Sequence, residues 1–330
     1  MAYNWQNKPV LVTGAGGFIG SCLVNNLVQK GAMVKAFVRY NSRGDAGLLK
    51  LLSPEVLTRI ELIGGDLRDP QAIEDAMEGV EIVFHLGALI SIPYSYFHPV
   101  EVVDTNITGT LNVLLACRKY NCKLIHTSTS EVYGTALRVP IDESHPLQGQ
   151  SPYSASKIGA DKLVESFQRS FNVPAVTVRP FNTYGPGQSA RAVIPTIISQ
   201  ALTRDVVLLG NLETKRDFTF VDDTVNGFIK AAETEGVSGE VFNLGTGSEV
   251  TIGELAGEII QLIGRDVPIK IDEQRLRPEN SEVMRLLSDN RKAKEVLGWY
   301  PEVSIREGLK ATVDWIEKNI ELYRPGRYEL

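Results

Sequence analysis

Residues 8–20, KPVLVTGAGGFIG, join a short apolar run directly to a glycine-rich turn. The run is rich in valine and leucine without polar alternation, which is typical of a strand buried on both faces of a parallel sheet. Apolar residues then recur at helical spacing over residues 18–28, and Gly31 ends this pattern. The order of strand, glycine turn and helix predicts a sheet built from alternating strands and helices.

The glycines of this turn stand at positions 14, 17 and 20. Because glycine has no side chain, such a turn brings backbone N–H groups close to a pyrophosphate, and the following helix N-terminus adds a favourable dipole. The spacing is Gly-x-x-Gly-x-x-Gly rather than the more common Gly-x-Gly-x-x-Gly. In its strand–turn–helix setting it predicts a dinucleotide site formed by Gly14, Gly17, Phe18, Ile19 and Gly20.

The remainder of the first half continues the alternation. Further strands are predicted at residues 33–38, 59–64, 80–86, 123–128 and 175–179, with helices at 100–119 and 153–169. This order predicts an α/β protein with a Rossmann-like, doubly wound parallel sheet. After Pro180 the elements shorten, which favours a cofactor-binding domain over residues 1–180 and a smaller α/β substrate lobe over 181–330, with short pieces of the lobe returning to the first sheet.

Composition excludes several classes of function. The chain has 330 residues and a net charge of −6, with no Lys/Arg-rich run, which argues against a nucleic-acid binder. No apolar run is long enough for a membrane-spanning helix, and the polar N-terminus does not resemble a signal peptide. Three cysteines and four histidines without metal spacing predict neither disulfides nor a metal site. We therefore expect a cytoplasmic protein. We interpret His126 as a satisfied core histidine, and the glycosylation pattern Asn106-Ile107-Thr108 as a chance occurrence.

The end of the second predicted strand bears on the choice of nicotinamide cofactor. Proteins that bind NAD usually place Asp or Glu here to hold the ribose 2′-hydroxyl. This chain has Arg39 instead, and no acidic residue follows until Asp45. An arginine can bind a 2′-phosphate, so we expect NADP, with NAD bound without an acidic partner as the alternative. Asp66, after the third strand, is expected to contact the adenine or to cap a helix.

Tyr153 and Lys157 are four residues apart and share one face of a predicted helix. The lysine ammonium, with the positive nicotinamide nearby, is expected to lower the pKa of the tyrosine, so that the phenolate accepts a proton from a substrate hydroxyl. Thr129 follows the fifth strand, where its hydroxyl can bond the same substrate oxygen. Glu131 can remove a proton from the carbon beside a new ketone, unless it only caps a helix or forms a salt bridge.

These motifs resemble the extended short-chain dehydrogenase/reductases of the nucleotide-sugar epimerase/dehydratase group, over nearly the whole chain. The resemblance is carried by the glycine turn, the Tyr153/Lys157 pair and the segments 85–88, 129–131, 180–186, 216–218, 222–223 and 277–279. Segments 90–96, 146–153 and 188–195 are most similar to UDP-N-acetylglucosamine 4,6-dehydratases of the legionaminic-acid type.

The resemblance implies a redox-neutral reaction. Tyr153 accepts the C4 hydroxyl proton while NAD(P)⁺ takes the C4 hydride, Glu131 removes H5, water leaves from C6, and the hydride returns to C6. The product is a 4-keto-6-deoxy sugar nucleotide. Ser130 stands where the dTDP-glucose 4,6-dehydratases have an aspartic acid. The acid for the leaving hydroxyl is therefore either protonated Glu131 or a water held by Ser130.

The resemblance also implies further contacts and a homodimer. Cofactor contacts are expected from Leu67, Leu86, Ala88 and Pro180. Substrate contacts are expected from Ser91, Asn182, Arg191, Arg216, Arg277 and Glu279, with a plain surface charge as the alternative for each arginine. The homodimer would form through the helices at 100–119 and 153–169, and the alternative is that the apolar residues of these helices only face the sheet.

Other activities remain open at this point. A UDP-glucuronate decarboxylase is expected to have an arginine after the catalytic lysine, where this chain has Ile158-Gly159. Glu131 disfavours a simple 4-epimerase, whereas a 5-epimerase or a dehydratase that inverts C5 is compatible with it. A non-catalytic NADP sensor has no use for Thr129, Tyr153 and Lys157 together. The nucleotide (UDP or GDP), the hexose and the C5 configuration are left open.

Overall fold

The computed structural model describes residues 3–323, apart from the side chain of Glu279. Its strands are β1 Pro9–Thr13, β2 Met33–Arg39, β3 Ile60–Gly65, β4 Ile82–His85, β5 Lys123–Thr127, β6 Ala175–Pro180, β7 Asn182–Tyr184, β8 Val207–Leu209, β9 Lys215–Arg216, β10 Phe218–Phe220, β11 Val241–Leu244, β12 Val250–Thr251, β13 Ile269–Ile271 and β14 Arg285–Leu286. Its α-helices are α1 Phe18–Gln29, α2 Pro54–Leu57, α3 Pro70–Met77, α4 Ile92–Phe97, α5 Pro99–Val103, α6 Gly109–Tyr120, α7 Pro152–Phe171, α8 Val193–Thr203, α9 Val221–Glu233, α10 Ile252–Ile263, α11 Arg291–Leu297 and α12 Ile305–Lys318.

The main sheet has seven strands in the order β3-β2-β1-β4-β5-β6-β11, and every neighbouring pair is parallel. The predicted doubly wound parallel sheet is thereby confirmed. The strand order reverses between β1 and β4, which opens a crevice at the carboxyl ends of these two strands. Residues after β1, β4, β5 and β6 all reach this edge.

Helices cover both faces of the sheet because successive side chains of a strand point to opposite faces. In β1, Val10 and Val12 pack with α1 and α9, whereas Leu11 packs with α3, α6 and α7 on the other face. Each face buries a large apolar cluster, so the strands contain few polar residues. This explains why their sequences lack polar alternation.

Residues 99–120 form one long helical segment, close to the predicted helix at 100–119. It begins as α5, continues through a π-helical turn at Asp104–Thr108 and ends as α6. A π turn carries an extra residue and often marks a functional position. Here the turn buries Asn106, which is 1% exposed, against the loop that follows β4.

The second half of the chain builds shorter sheets beside this domain. Strand β7 pairs with β10, β9 lies between β12 and β14, and β8 pairs with β13. Strand β11 returns to the main sheet beside β6, and α9 packs on α1. This return matches the expected interleaving, while the functional division at residue 180 stays a prediction. Within residues 3–323, no helix is long and apolar enough to cross a membrane.

Candidate active site

The glycine turn after β1 leaves no room for side chains. Gly14 has a φ of +69°, and a Cβ on it would lie 2.8 Å from the Gly87 nitrogen. A Cβ on Gly20 would lie 2.2 Å from the Gly14 carbonyl oxygen. Among the described residues, no side chain caps the N-terminus of α1. The first N–H groups of the helix can therefore face a phosphate, and the turn fits the pyrophosphate of a dinucleotide.

We expect Gly20→Ala to abolish cofactor retention, because the new methyl group must displace the Gly14 carbonyl and with it the pyrophosphate turn. Purified protein would be denatured and the released dinucleotide quantified. Gly257→Ala is the matched control, since a Cβ on Gly257 in α10 would meet no atom within 4 Å. This control should retain cofactor and gain about 0.5–1 kcal/mol of stability. Full cofactor content in the Gly20 variant would contradict the assignment.

Charged side chains cluster at the predicted adenine end of the crevice. The Arg39 side chain is 64% exposed and its Nη2 lies 3.3 Å from Oε1 of Glu101. Asp66 accepts hydrogen bonds of 3.0 and 2.6 Å from Arg68, which lower the pKa of its carboxyl group to about 2. The N-cap of α3 is Asp69. The alternative that Asp66 caps this helix is therefore wrong, and an adenine contact from Asp66 stays a prediction.

The loop after β4 borders the crevice, and the side chains of Thr13 and Asn106 hold its backbone in place. Thr13 Oγ1 accepts a hydrogen bond from the Gly87 nitrogen at 3.1 Å and lies 2.8 Å from Nδ1 of His85. Asn106 bonds both the nitrogen and the carbonyl oxygen of Leu89, at 2.8 and 2.9 Å. These contacts fix the backbone through Leu86 and Ala88, the predicted cofactor contacts. Burial also lowers the pKa of His85 well below its usual value, so His85 is neutral.

Tyr153 and Lys157 lie in the first two turns of α7. Ser151 caps this helix with a capping box and Pro152 occupies its first turn, so the helix begins immediately before Tyr153. Both side chains are buried, and the Lys157 amine donates to the Thr127 carbonyl at 2.7 Å. Burial lowers the pKa of Lys157 to about 8, although the charge of Asp161 opposes this.

The protein groups around Tyr153 do not lower the pKa of its phenol. Burial raises this pKa more than Thr129 lowers it, and the charge of Glu131 raises it further. The amine of Lys157 is directed to the Thr127 carbonyl. The expected lowering by the lysine together with a nicotinamide stays a prediction. The effect of Thr129 on Tyr153 places the two predicted catalytic hydroxyl groups near each other.

Glu131 lies in a short 3₁₀ helix, Ser130–Tyr133, whose N-cap is Thr129. The Thr129 hydroxyl accepts a hydrogen bond of 3.2 Å from the Glu131 nitrogen, and Ser130 is buried. The negative charge of Glu131 acts on Tyr153 and also on Arg216. The carboxylate of Glu131 is therefore near enough to Tyr153 and to the buried Arg216 for its charge to act on both.

Two of the predicted substrate arginines converge. Arg216 is 7% exposed in β9, and both Arg216 and Arg277 form ion pairs with Glu282, at 3.6 and 3.8 Å. Nη1 of Arg277 is buried without a hydrogen-bond partner among the described residues. Two guanidinium groups with loose ion pairs and an unused donor fit a diphosphate, which offers oxygen atoms to both.

The other predicted substrate residues are more scattered. The Asn182 amide donates to the Asp217 carbonyl at 3.3 Å, beside Arg216. Ser91 caps α4 by accepting from the Tyr94 nitrogen, so its hydroxyl is partly engaged. Arg191 is exposed on the loop before α8, where its charge acts on Tyr94. The structure does not bring Ser91 and Arg191 together with Arg216 and Arg277. Glu279 was also predicted to contact the substrate, but its side chain lies outside the described residues.

A family model described as GDP-mannose 4,6 dehydratase matches residues 11–312. The chain belongs to this family. It is 34% identical to a UDP-glucose 4-epimerase of Mycolicibacterium smegmatis, over 92% of this chain and 97% of the relative. It is 35% identical to UDP-glucuronic acid decarboxylase 6 of Arabidopsis thaliana, over 92% and 87%. A crystal structure of the dTDP-glucose 4,6-dehydratase DesIV from Streptomyces venezuelae with NAD and TYD bound superposes with a TM-score of 0.86 at 29% identity, covering 96% of this chain and 99% of that one.

Membership of this family confirms that the chain resembles enzymes that act on nucleotide sugars. The relatives include an epimerase, a decarboxylase and a dehydratase, so the family alone does not select one reaction. Within residues 3–323 no group of histidine, cysteine, aspartate and glutamate side chains has the geometry of a metal site.

Sequence reasoning missed three functional candidates. Glu282 contacts both arginines, Asn106 holds the loop after β4, and Asp161 lies below Lys157. Asn106 is buried, which agrees with the view that its glycosylation pattern arose by chance. Asp161 could have been found, since it follows Lys157 by one helical turn in an otherwise amphipathic helix.

Proposed function

We propose that this chain is a nucleotide-sugar 4,6-dehydratase that converts UDP-N-acetylglucosamine into its UDP-4-keto-6-deoxy derivative. The observation that carries the proposal is the position of Glu131 in the turn after β5. Its nitrogen donates to the Thr129 hydroxyl at 3.2 Å, and its charge acts on both Tyr153 and Arg216. The substrate assignment rests on the similarity of segments 90–96, 146–153 and 188–195 to UDP-N-acetylglucosamine dehydratases. We further propose that residues 1–180 bind the cofactor and residues 181–330 the sugar nucleotide.

Each of the predicted site residues has its own role in the proposed reaction. A bound nicotinamide dinucleotide accepts and later returns the hydride. Thr129 and Tyr153 hold the C4 oxygen, and Tyr153 takes its proton in the phenolate form. Burial raises the pKa of this phenol. The Lys157 ammonium and the positive charge of a bound nicotinamide would lower it again and so permit the transfer. The resulting ketone makes H5 acidic, and Glu131 removes that proton. Arg216 and Arg277 bind the diphosphate and so fix the position of the sugar relative to these groups.

Loss of the C6 hydroxyl needs a proton donor. Ser130 is buried beside Glu131, and a serine hydroxyl is a poor acid. We assign this proton to Glu131, which has just received one from C5 and can pass it to the leaving oxygen. The hydride that returns to C6 then requires a new proton on C5, which solvent supplies. A water held by Ser130 is the alternative.

Incubation of the purified protein with UDP-N-acetylglucosamine, without added cofactor, tests the proposal. Mass spectrometry should show a product lighter by one water, with no net reduced nicotinamide. GDP-mannose, UDP-glucose and UDP-glucuronate would be run in parallel. Water loss only from GDP-mannose or UDP-glucose would transfer the dehydratase assignment to that sugar nucleotide, and turnover of none of the four would contradict it.

Decarboxylation of UDP-glucuronate is the second candidate, favoured by the 35% identity to a decarboxylase. That reaction needs a cation near the C6 carboxylate, and the family's expected arginine is replaced here by Ile158, which packs in an apolar cluster. Release of carbon dioxide from UDP-glucuronate would establish this reaction in place of dehydration.

We propose NADP as the preferred cofactor, with Arg39 as the contact to its 2′-phosphate. Arg39→Ala should weaken NADP⁺ binding about tenfold, a modest loss because the side chain is largely solvated, and should leave NAD⁺ binding unchanged. Calorimetric titration with each cofactor measures both. Arg59→Ala is the control, since Arg59 is exposed at the opposite, amino-terminal end of β3. Equal losses for both cofactors would exclude a 2′-phosphate contact.

We propose a homodimer formed through the 99–120 helical segment and α7. These helices leave Val100, Val103, Leu115 and Phe171 exposed by 40–72%. Leu115→Glu should weaken the dimer by about a hundredfold, because a symmetric interface carries the change twice. Light scattering over a dilution series measures this, with Leu137→Glu, an exposed loop leucine, as control. An unchanged dimer, or a wild-type monomer, would contradict the assignment.

A further inference from the structure

Three elements meet in a buried polar cluster around Asp161, below the catalytic pair. Asp161 lies four residues after Lys157 and eight after Tyr153, on the same face of α7. Its carboxylate lies 3.1 Å from Nε2 of His126 and accepts hydrogen bonds from Ser128 Oγ at 2.8 Å and Arg179 Nη2 at 2.9 Å. All four side chains are buried.

We propose that Asp161 is a positioning residue, which holds the Lys157 amine and its acceptor, the Thr127 carbonyl, in place for proton transfer through Tyr153. This inference rests on the proposed function of Tyr153 and Lys157.

Asp161 contacts β5 on both sides of the residue that accepts from Lys157. His126 and Ser128, the two partners of Asp161 from β5 and the residue after it, flank Thr127 in the sequence. The carbonyl that accepts from Lys157 belongs to Thr127 itself. Asp161 therefore fixes the Lys157 amine through helix α7, and fixes the Thr127 carbonyl through its contacts with β5. One buried side chain thus sets the distance between the amine and the carbonyl oxygen.

Arg179 extends this anchoring across the sheet. Its Nη1 donates to the Tyr133 hydroxyl at 2.9 Å, and that hydroxyl donates to Asn243 in β11 at 2.7 Å. The cluster thus ties α7 to β5, β6 and β11. A buried carboxylate with this many donors remains ionised, and removing one partner from such a set is costly.

Asp161 also acts on Lys157 through its charge. The charge of Lys157 acts on His85 in β4 and on His126 in β5. The charge of Asp161, on the same helix as Lys157, acts on Lys157 itself. Arg179 from β6 and Tyr153 and Glu131 from the cleft lie around the same cluster. Burial lowers the pKa values of both histidines, so they are neutral near pH 7. Asp161 is the anion that favours the ammonium form against burial.

Removal of the Asp161 charge should move the titration of Lys157 to lower pH. Lys157, with a pKa of about 8, is charged below that pH and neutral above it. Asp161→Asn keeps the shape but removes the anion, so the ammonium should lose its proton at lower pH. We expect the titration midpoint of Lys157 to fall by about one pH unit. The alkaline limb of the kcat profile should fall with it, at unchanged KM.

Carbon-13 labelling of lysine Cε and NMR titration follow Lys157 directly, with its resonance assigned by a Lys157→Met variant. This readout does not require turnover. Asp161→Glu should restore most of the midpoint. Asp223→Asn is the matched control, because Asp223 is an equally buried aspartate whose carboxylate accepts from the nitrogens of Glu302 and Val303 instead. It should lower stability without moving the midpoint.

Two failures are distinguishable. A wild-type protein that turns over no sugar nucleotide, yet shows the expected Lys157 shift in Asp161→Asn, would refute the proposed function and keep the electrostatic part of this inference. An unmoved midpoint would overturn the inference whatever the activity. If Asp161→Asn does not fold, Ser128→Ala replaces it. It removes one anchor but keeps the charge, and should lower kcat several-fold with the alkaline limb in place. Wild-type kcat in that variant would overturn the positioning role.

Discussion

Tyr153→Phe should reduce kcat by about 10²- to 10⁴-fold, the usual contribution of a positioned acid or base. The substitution removes only the hydroxyl that takes the C4 proton, and the ring continues to fill its buried site. Because oxidation at C4 is the first chemical step, neither ketone nor reduced nicotinamide should accumulate. Single-turnover absorbance of reduced nicotinamide measures the step, and substrate affinity should change little.

Tyr184→Phe is the matched control for this prediction. Tyr184 is also fully buried, but its hydroxyl donates to the Ile305 carbonyl, away from the cleft. Its loss should cost about 1 kcal/mol of stability and leave turnover intact. If the Tyr153 variant oxidised C4 at the wild-type rate, the base would have to be another group.

Glu131→Gln should separate oxidation from dehydration. The amide keeps the size of the side chain but cannot take the proton from C5, so kcat for water loss should fall by about 10²- to 10⁴-fold. Tyr153 and Thr129 remain, so C4 oxidation proceeds and reduced nicotinamide should build up on the enzyme. Rapid-quench mass spectrometry and the nicotinamide absorbance would record the stalled 4-ketone.

The control for the glutamate is Glu143→Gln. Glu143 is partly buried and accepts a hydrogen bond of 2.8 Å from the Asn243 nitrogen, which a glutamine oxygen can also accept. It should behave as wild type. Unchanged water loss in Glu131→Gln would assign the C5 proton elsewhere, and loss of oxidation itself would mean that Glu131 serves the first step.

The fold was predictable because its long elements carry strong local patterns. Apolar runs in β1 and β4 and helical spacing in α1 follow directly from burial on both faces of the sheet. Helices α3, α4 and α11 were not predicted. Each has eight residues or fewer, which is shorter than the window of about 11 residues in which helical periodicity can be recognised.

The site was predictable only where neighbours in sequence act together. Tyr153 and Lys157 share a helix face, and Thr129 and Glu131 share a turn, so spacing sufficed. The cluster around Asp161 depends on the pairing of β5 with β6, which spacing along the chain does not encode. His126 is a buried core histidine, as predicted, and its Nε2 meets Asp161. Its Nδ1 has no hydrogen-bond partner among the described residues, so the expectation of a satisfied side chain holds only in part.

In the proposed reaction a hydride leaves C4 and returns to C6, and a proton is removed from C5 in between. Two isotope experiments follow these atoms by mass spectrometry and NMR. The first uses UDP-N-acetylglucosamine carrying deuterium at C4 in ordinary water, and the second uses unlabelled substrate in deuterium oxide. We expect the C4 label at C6 of the dehydrated product, and one deuterium from solvent at C5. A label that remains on C4 of a sugar inverted at that carbon, with no water lost, would identify an epimerase and refute the proposed dehydration.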